Sequence, residues 1–291
     1  MKSPISNLNF VGLLRRCRPY FFILLIYLPA AYPYLGGDIP RSNDSFTHLY
    51  RAVELDRLVR SGILFPRWAP DFAHGYGYPI FNYFAYLSHY LIVLFHFTGL
   101  PFLSALRAAY IAALLASGLT AFLLARDLAD DDSAGLVAAV AYVYSPYLLY
   151  TAHVRGGLPE SLALAFFPLA LWAVRRSLIH HEGTKAQSDI KSHFQKLSAL
   201  SASLRLTLLS PYTLITALAL AGVVTSHAGM AIQYLPLLGL FGLYVLIARK
   251  IEAGDWKNAK AWAFGFWNLG FGFLLGLGLT AFLWLPTLAD L

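Results

Sequence analysis

Six polar residues in a largely apolar chain have the types and spacing from which a binding or reacting site could be built. Asp44, His48 and Arg51 stand at i, i+4 and i+7, so a helix would bring a carboxylate, an imidazole and a guanidinium to one face. Arg155 precedes Gly156 and Gly157; glycines let a backbone approach a ligand closely, and a guanidinium pairs with phosphate. Glu160 follows in the same segment, and His227 lies in the short turn Ser226-His227-Ala228-Gly229. Each has a plainer account. Asp44 is a natural N-cap, Glu160 a first-turn acid that complements a helix dipole, His227 a helix-end cap, and His48 an interfacial histidine. A cap at a membrane surface can still face a substrate cleft, so the two readings of Asp44 are compatible.

The elements around these residues set where they can act. From Phe46, the apolar residues Phe46, Leu49, Tyr50, Val53, Leu58 and Val59 recur near helical spacing, which predicts an amphipathic helix lying on a membrane. It belongs to residues 36–83, the only long polar stretch between apolar runs and too long for a plain connector. Further on, Phe65-Pro66-Arg67-Trp68-Ala69-Pro70-Asp71 and Gly75-Tyr76-Gly77-Tyr78-Pro79 predict a rigid, irregular loop with rings at headgroup depth. Those rings read either as an aromatic belt or as a platform for the face of a sugar or the start of a lipid chain.

Composition explains why a membrane enters at all. Of 291 residues, 58% are apolar and 13% charged, against roughly 45–50% and about 25% for a soluble domain. One water-soluble core cannot hide that much apolar surface, so a soluble enzyme is excluded. The net charge of +7 sits in clusters between apolar runs, which marks membrane orientation and not nucleic-acid binding. Cys17 is the single cysteine, which excludes an internal disulfide and a cysteine-based metal site.

Eight runs are candidate spans: Tyr20–Leu35, Phe84–Leu100, Leu103–Ala125, Ala134–Tyr150, Leu158–Val174, Pro211–Ser226, Ala231–Ala248 and Ala261–Pro286. Lys2, Arg15, Arg16 and Arg18 place the N-terminus in the cytoplasm. The basic segments 175–210 and 249–260 join it there only if Phe84–Leu100, which holds Ser88, His89 and His96, lies at the interface without crossing. Seven crossings of an all-α bundle result, with residues 36–100 forming an external first loop that carries interfacial helices. The turn Arg126–Ser133 is acidic yet falls inside, a misfit that weighs little because acids contribute little to orientation. A signal peptide with Ala30-Ala31 is the other reading of the first run. This topology puts Asp44, Arg155, Glu160, His227 and the extreme C-terminus around Asp290 on the outer face.

Asn43-Asp44-Ser45-Phe46-Thr47-His48, Phe65-Pro66-Arg67-Trp68, Gly75-Tyr76-Gly77-Tyr78-Pro79 and Arg155-Gly156-Gly157-Leu158-Pro159-Glu160 together resemble the GT-C superfamily of integral-membrane glycosyltransferases. More narrowly they are similar to a bacterial membrane family usually labelled "6-pyruvoyl-tetrahydropterin synthase-related"; nothing in the chain suggests pterin chemistry. The resemblance runs from the first crossing to Phe282-Leu283-Trp284-Leu285-Pro286. It implies a single GT-C-like module over 1–291 in the inner membrane of a cell envelope. The implied donor is a polyprenyl-phosphate-linked sugar, and the acceptor is a hydroxyl on the outer face.

The resemblance assigns the general base to Asp44. It gives Glu160 a part in binding substrate or a divalent cation (Mg or Mn), with Asp44 as the other metal candidate. Arg155, with His48 or Arg51, would stabilise the departing phosphate, and His227 is a further substrate-binding candidate. Two features depart from the family. The crossings are fewer and the chain stops at Leu291, which suggests a truncated module or a partner subunit that supplies the acceptor site; the second loop also lacks Asp-x-Asp. The competing classes are a non-catalytic GT-C-like subunit of a membrane complex and a transporter. Transporters carry mid-span charges and internal repeats, and neither is visible here.

Overall fold

A computed structural model of the chain describes residues 10–38, 42–84, 86–185, 211–254, 256–257 and 259–289. The expectations for Asp290 and for residues 186–210 of the basic loop 175–210 lie outside these. Among the described residues every regular element is a helix. In chain order they are α1 (Phe10–Ala31), α2 (Ser45–Arg60), α3 (Ile80–Tyr83), α4 (Leu87–Phe97), α5 (Phe102–Ala129), α6 (Asp132–Val143) and α7 (Pro146–Leu149). After the π-helical turn Tyr150–Arg155 come α8 (Leu158–Lys185), α9 (Pro211–Ser226), α10 (Ala228–Glu252), α11 (Ala259–Leu279) and α12 (Ala281–Ala289).

Three helices are long and apolar enough to cross a membrane: α5, α8 over Leu158–Ile179, and α10. A fourth crossing is available if α6 and Pro146–Arg155, bent by 45°, act together. Length and composition thus carry three or four of the seven expected crossings. α4 has 11 residues, about 16 Å at 1.5 Å per residue, which is half of a hydrocarbon core. Two expected runs are also broken. Ser145 and Pro146 interrupt Ala134–Tyr150, because Ser145 caps a new helix and Pro146 suits its first position. Thr280 divides Ala261–Pro286 into α11 and α12.

The centre of the bundle is α5 against α6 and α8, and α8 against α9. Ala105, Ala109, Ala113, Ser117 and Ala121 recur every four residues along α5, and all five are buried. Small side chains at that spacing let neighbouring helices approach to backbone contact, which is how helices associate where lipid removes the hydrophobic drive. Buried hydroxyls tie the helices further. Tyr27 donates to the Ile111 carbonyl at 2.5 Å, Tyr144 to Ile26 at 2.6 Å, and Tyr142 to Leu164 at 2.8 Å.

The acidic turn between α5 and α6 is balanced locally. Asp127 is buried and pairs with both Arg175 and Arg176 of α8, while Arg126 pairs with Asp132 at 2.6 Å. Asp131 caps α6, accepting from the Ser133 and Ala134 amides. Asp127 and Asp132 are thus offset by arginines at the end of the bundle expected to face the cytoplasm.

Close packing continues where α11 crosses α9. A Cβ on Gly276 would lie 2.8 Å from Leu220 Cβ and 3.0 Å from the Ala217 carbonyl, neither of which can swing away. On Gly278 of the same helix a Cβ meets nothing within 4 Å. Gly276→Ala should therefore lose about 1–3 kcal/mol to overpacking, while Gly278→Ala should be neutral or gain up to about 1 kcal/mol in helix propensity. Melting curves of the purified protein in detergent measure both, and equal melting temperatures for the two variants would contradict this packing.

Candidate functional site

The first loop and the α7–α8 connection are joined through backbone. Asn43 donates its N–H to Val154 at 3.2 Å, and Asp44 donates to Arg155 at 2.9 Å. Helix ends leave carbonyls without intrahelical partners, and here the π-helical turn offers two of them to the incoming loop. π turns are rare and frequent at functional sites. Gly156 follows at φ +72, a left-handed conformation that glycine adopts without strain, and its missing Cβ makes room for Ser42. Below the turn, Tyr110 donates to the Gly156 carbonyl at 2.5 Å and sits 3.3 Å from Ser45 Oγ, which in turn contacts Ser42 Oγ. Tyr34 stacks on Tyr110 at 4.9 Å and on His153 at 5.1 Å, and it donates to the Ala152 carbonyl at 2.7 Å.

Asp44 occupies the N-cap position of α2, but its side chain caps no amide. The plain account of this residue therefore fails on geometry, and its half-buried carboxylate acts on Arg51 and Tyr110 instead. Arg51 lies over the Phe84 ring, 4.1 Å from its centroid. His48 is buried, and its Nδ1 is 3.2 Å from Nε2 of His89 on α4. The second ring nitrogen of each imidazole has no partner of hydrogen-bond geometry. Burial pushes the His48 pKa down to about 3, helped by the Arg51 and Arg155 charges and opposed slightly by the Gly156 backbone. His89 moves the same way, again chiefly through burial.

On the α8 side, buried Glu160 is held by the Arg155 guanidinium and by the Tyr147 hydroxyl. His227 caps α10, with Nδ1 accepting from the Met230 amide at 3.1 Å, and it lies within electrostatic reach of Glu160 and Arg155. Tyr234 also faces Glu160. All six residues singled out in the sequence thus gather at one end of the bundle. Asp44 meets the Arg155 turn through its backbone and His48 feels the Arg155 charge, Arg51 lies near Asp44, and Glu160 and His227 approach Arg155 from α8 and α10.

What this arrangement can do follows from the charges. Arg51 sets a guanidinium near the Asp44 carboxylate, which no capping bond consumes, and Arg155 brings a second guanidinium that is paired with Glu160. Among the described residues no group of three or more His, Cys, Asp or Glu could hold a metal ion. Glu160 is already held by Arg155 and Tyr147, so the donor set fits a divalent cation poorly.

Sequence reasoning missed His89, Tyr110, Tyr147, Tyr234 and the serine pair. In the sequence His89 is one of three polar residues, with Ser88 and His96, in the run Phe84–Leu100. The four-residue spacing of Ser88 and Ile92 around it gave no hint that His48 would be its partner. Of the apolar residues expected along α2, Phe46, Tyr50 and Val53 are exposed, while Leu58 is buried on the protein side with Ser45, His48, Ala52 and Leu55.

The depressed imidazoles set a pH dependence. An unfolded histidine takes up its proton near pH 6.5, whereas folded His48 does so near 3. Between those values the unfolded chain binds more protons, so stability is complete above about pH 6.5 and falls as the pH drops. At pH 5 the loss from this one imidazole is about 2 kcal/mol, and His89 adds in the same direction. Replacing both by glutamine, which cannot titrate, should flatten the difference in melting temperature between pH 7.5 and pH 5. An equally steep dependence in the double variant would show that other groups carry it.

No protein-family model and no solved structure matches the chain. A curated relative, an uncharacterized protein of Lactococcus lactis subsp. cremoris (strain MG1363), is 24% identical over 280 residues. The alignment covers 94% of this chain and 39% of the relative, so the chain spans well under half of that protein's length.

Proposed function

We propose that the chain is a membrane glycosyltransferase module that moves a sugar from a polyprenyl-phosphate donor to an acceptor hydroxyl. In this reading it lies in the inner membrane with its N-terminus in the cytoplasm. It crosses seven times, through α1, α5, the bent α6–α7 pair, α8, α9, α10 and the α11–α12 pair. α2 and α4 lie at the outer interface. The observation that carries the reading is the placement of Asp44, with its carboxylate excused from capping α2, beside Arg51 and the Arg155 turn.

The chemistry balances without further reactants. Asp44 takes the acceptor hydroxyl proton, the oxygen attacks the anomeric carbon, and the carbon–oxygen bond to the donor phosphate breaks. The bonding pair leaves on the phosphate, where Arg155 and Arg51 stabilise the charge that develops. His48, buried against His89 one turn on from Asp44, is a positioning residue.

One observation favours a second reading, a non-catalytic subunit of a membrane complex. Arg155 is already paired with Glu160, a closed contact that a purely structural module would also make. Activity separates the two. Asp44→Asn keeps size and polarity but cannot act as a base, and since Asp44 caps nothing, α2 should stand unchanged. Transfer from a polyprenyl-phosphate sugar should then fall at least about a hundredfold at equal melting temperature. Arg155→Lys keeps the charge and loses the planar fork, so it should bind polyprenyl phosphate more weakly than the native protein, and Arg155→Ala more weakly still. Undiminished transfer by Asp44→Asn, together with native lipid-phosphate binding by both arginine variants, would leave the subunit reading standing.

A further inference from the structure

On the other side of α2 from His48 lies a cavity of about 990 Å³ that none of the six site residues lines. One wall is α2, with Thr47, Tyr50 and Glu54; the other is the turn that carries Asp71, His74 and Tyr78. That turn is rigid. Ala69 and Tyr78 exchange backbone hydrogen bonds at 2.8 and 3.0 Å, and Trp68 packs its indole over Gly77 where a side chain would otherwise stand. Ala73 and His74 are both held at positive φ, +52 and +60, a conformation that non-glycine residues adopt only under surrounding constraint. Glu54 anchors the turn to the helix: it is buried, and it accepts the Asp71 N–H at 3.2 Å. Arg57 bridges the two acids, 3.6 Å from Glu54 and 3.0 Å from Asp71.

We infer that this cavity binds a neutral sugar through the faces of Tyr50 and Tyr78 and the carboxylates of Glu54 and Asp71. The chemistry of the walls selects that class. Tyr50 and Tyr78 are 63% and 50% exposed, leaving two aromatic surfaces for the apolar faces of pyranose rings. The lining residues include two carboxylates and no lysine or arginine, which favours hydroxyl donors over phosphate. No three-ligand cluster for a metal exists among the described residues, so a cation is the weaker fit. Tyr78 also acts on Arg51, as Asp44 does, which joins the cavity to the candidate site. As a binding site the cavity stands by itself; its use as the acceptor subsite rests on the transfer reading.

Saturation-transfer NMR on the full chain in detergent tests the binding directly, with trisaccharides built on glucose, galactose, mannose and N-acetylglucosamine as probes and inorganic phosphate as the contrast. At least one trisaccharide should bind and phosphate should not compete with it. Tyr50→Ala, on an exposed side chain, should weaken binding about tenfold or more, the scale of one lost ring contact. Asp71→Asn should weaken it too, at native melting temperature. The readout involves no transfer, so an inactive Asp44→Asn protein that still binds sugar would overturn nothing in this inference. Absence of binding by all four trisaccharides, displacement by phosphate, or unchanged binding in both variants would overturn it.

Discussion

Two backbone hydrogen bonds, from Asn43 to Val154 and from Asp44 to Arg155, decide the architecture of the polar end of this protein. They join segments that are more than a hundred residues apart in the chain. Everything polar nearby depends on that junction: the Ser42–Ser45–Tyr110 contacts beneath it, the direction in which α2 leaves, and the meeting of His48 with His89. The junction exists because the helix before it fails to close normally. A regular α-helix running into α8 would have consumed the carbonyls of Val154 and Arg155 internally. The π-helical turn and Gly156 end that helix early and leave those oxygens facing outward.

The rest of the bundle supports this end with ordinary membrane-protein means. The alanine and serine stripe of α5 brings helices close, tyrosine hydroxyls bridge backbones, and Asp127 fastens α5 to α8 at the far end through two arginines. Charge is thus concentrated at the two ends of the long helices, with small and apolar residues between. A bundle held in this way is stiff along α5 and α8, which places Tyr110 and Glu160 at fixed heights. The turn between α7 and α8 is correspondingly well supported on both sides.

Much of the site was legible in the sequence and some of the fold was not. Counting apolar runs and basic loops put Asp44, Arg155, Glu160 and His227 on one face, and in the structure these residues do lie at one end of the bundle. The start of α2 at Ser45 followed from Asp44 and the helical spacing after it. The breaks at Ser145-Pro146 and Thr280 were hidden because hydropathy averages over them, and a proline in an apolar run does not say whether it bends a helix or ends it. The apolar spacing along α2 marked an exposed face at Phe46, Tyr50 and Val53, but not the burial of Leu58 with Leu55 on the opposite side. The acid pair of Glu54 and Asp71 left no mark in local spacing, since the turn that unites them is set by Trp68 against Gly77.

The contact between Arg155 and Glu160 changes what anion recognition means at this end of the protein. A guanidinium that waits in water gains a whole new partner when phosphate arrives. Arg155 would instead trade: its carboxylate must loosen before a phosphate can take the same edge, and buried Glu160 must then lean on Tyr147 and His227. The net gain is the difference between two similar anions, which is small. If Arg155 takes a donor phosphate as proposed, a bare phosphate ion would have little leverage here and an amphiphile more, because its hydrocarbon tail would contribute a term to which Glu160 has no counterpart. Discrimination between a lipid phosphate and a soluble one would then rest on a single occupied salt bridge.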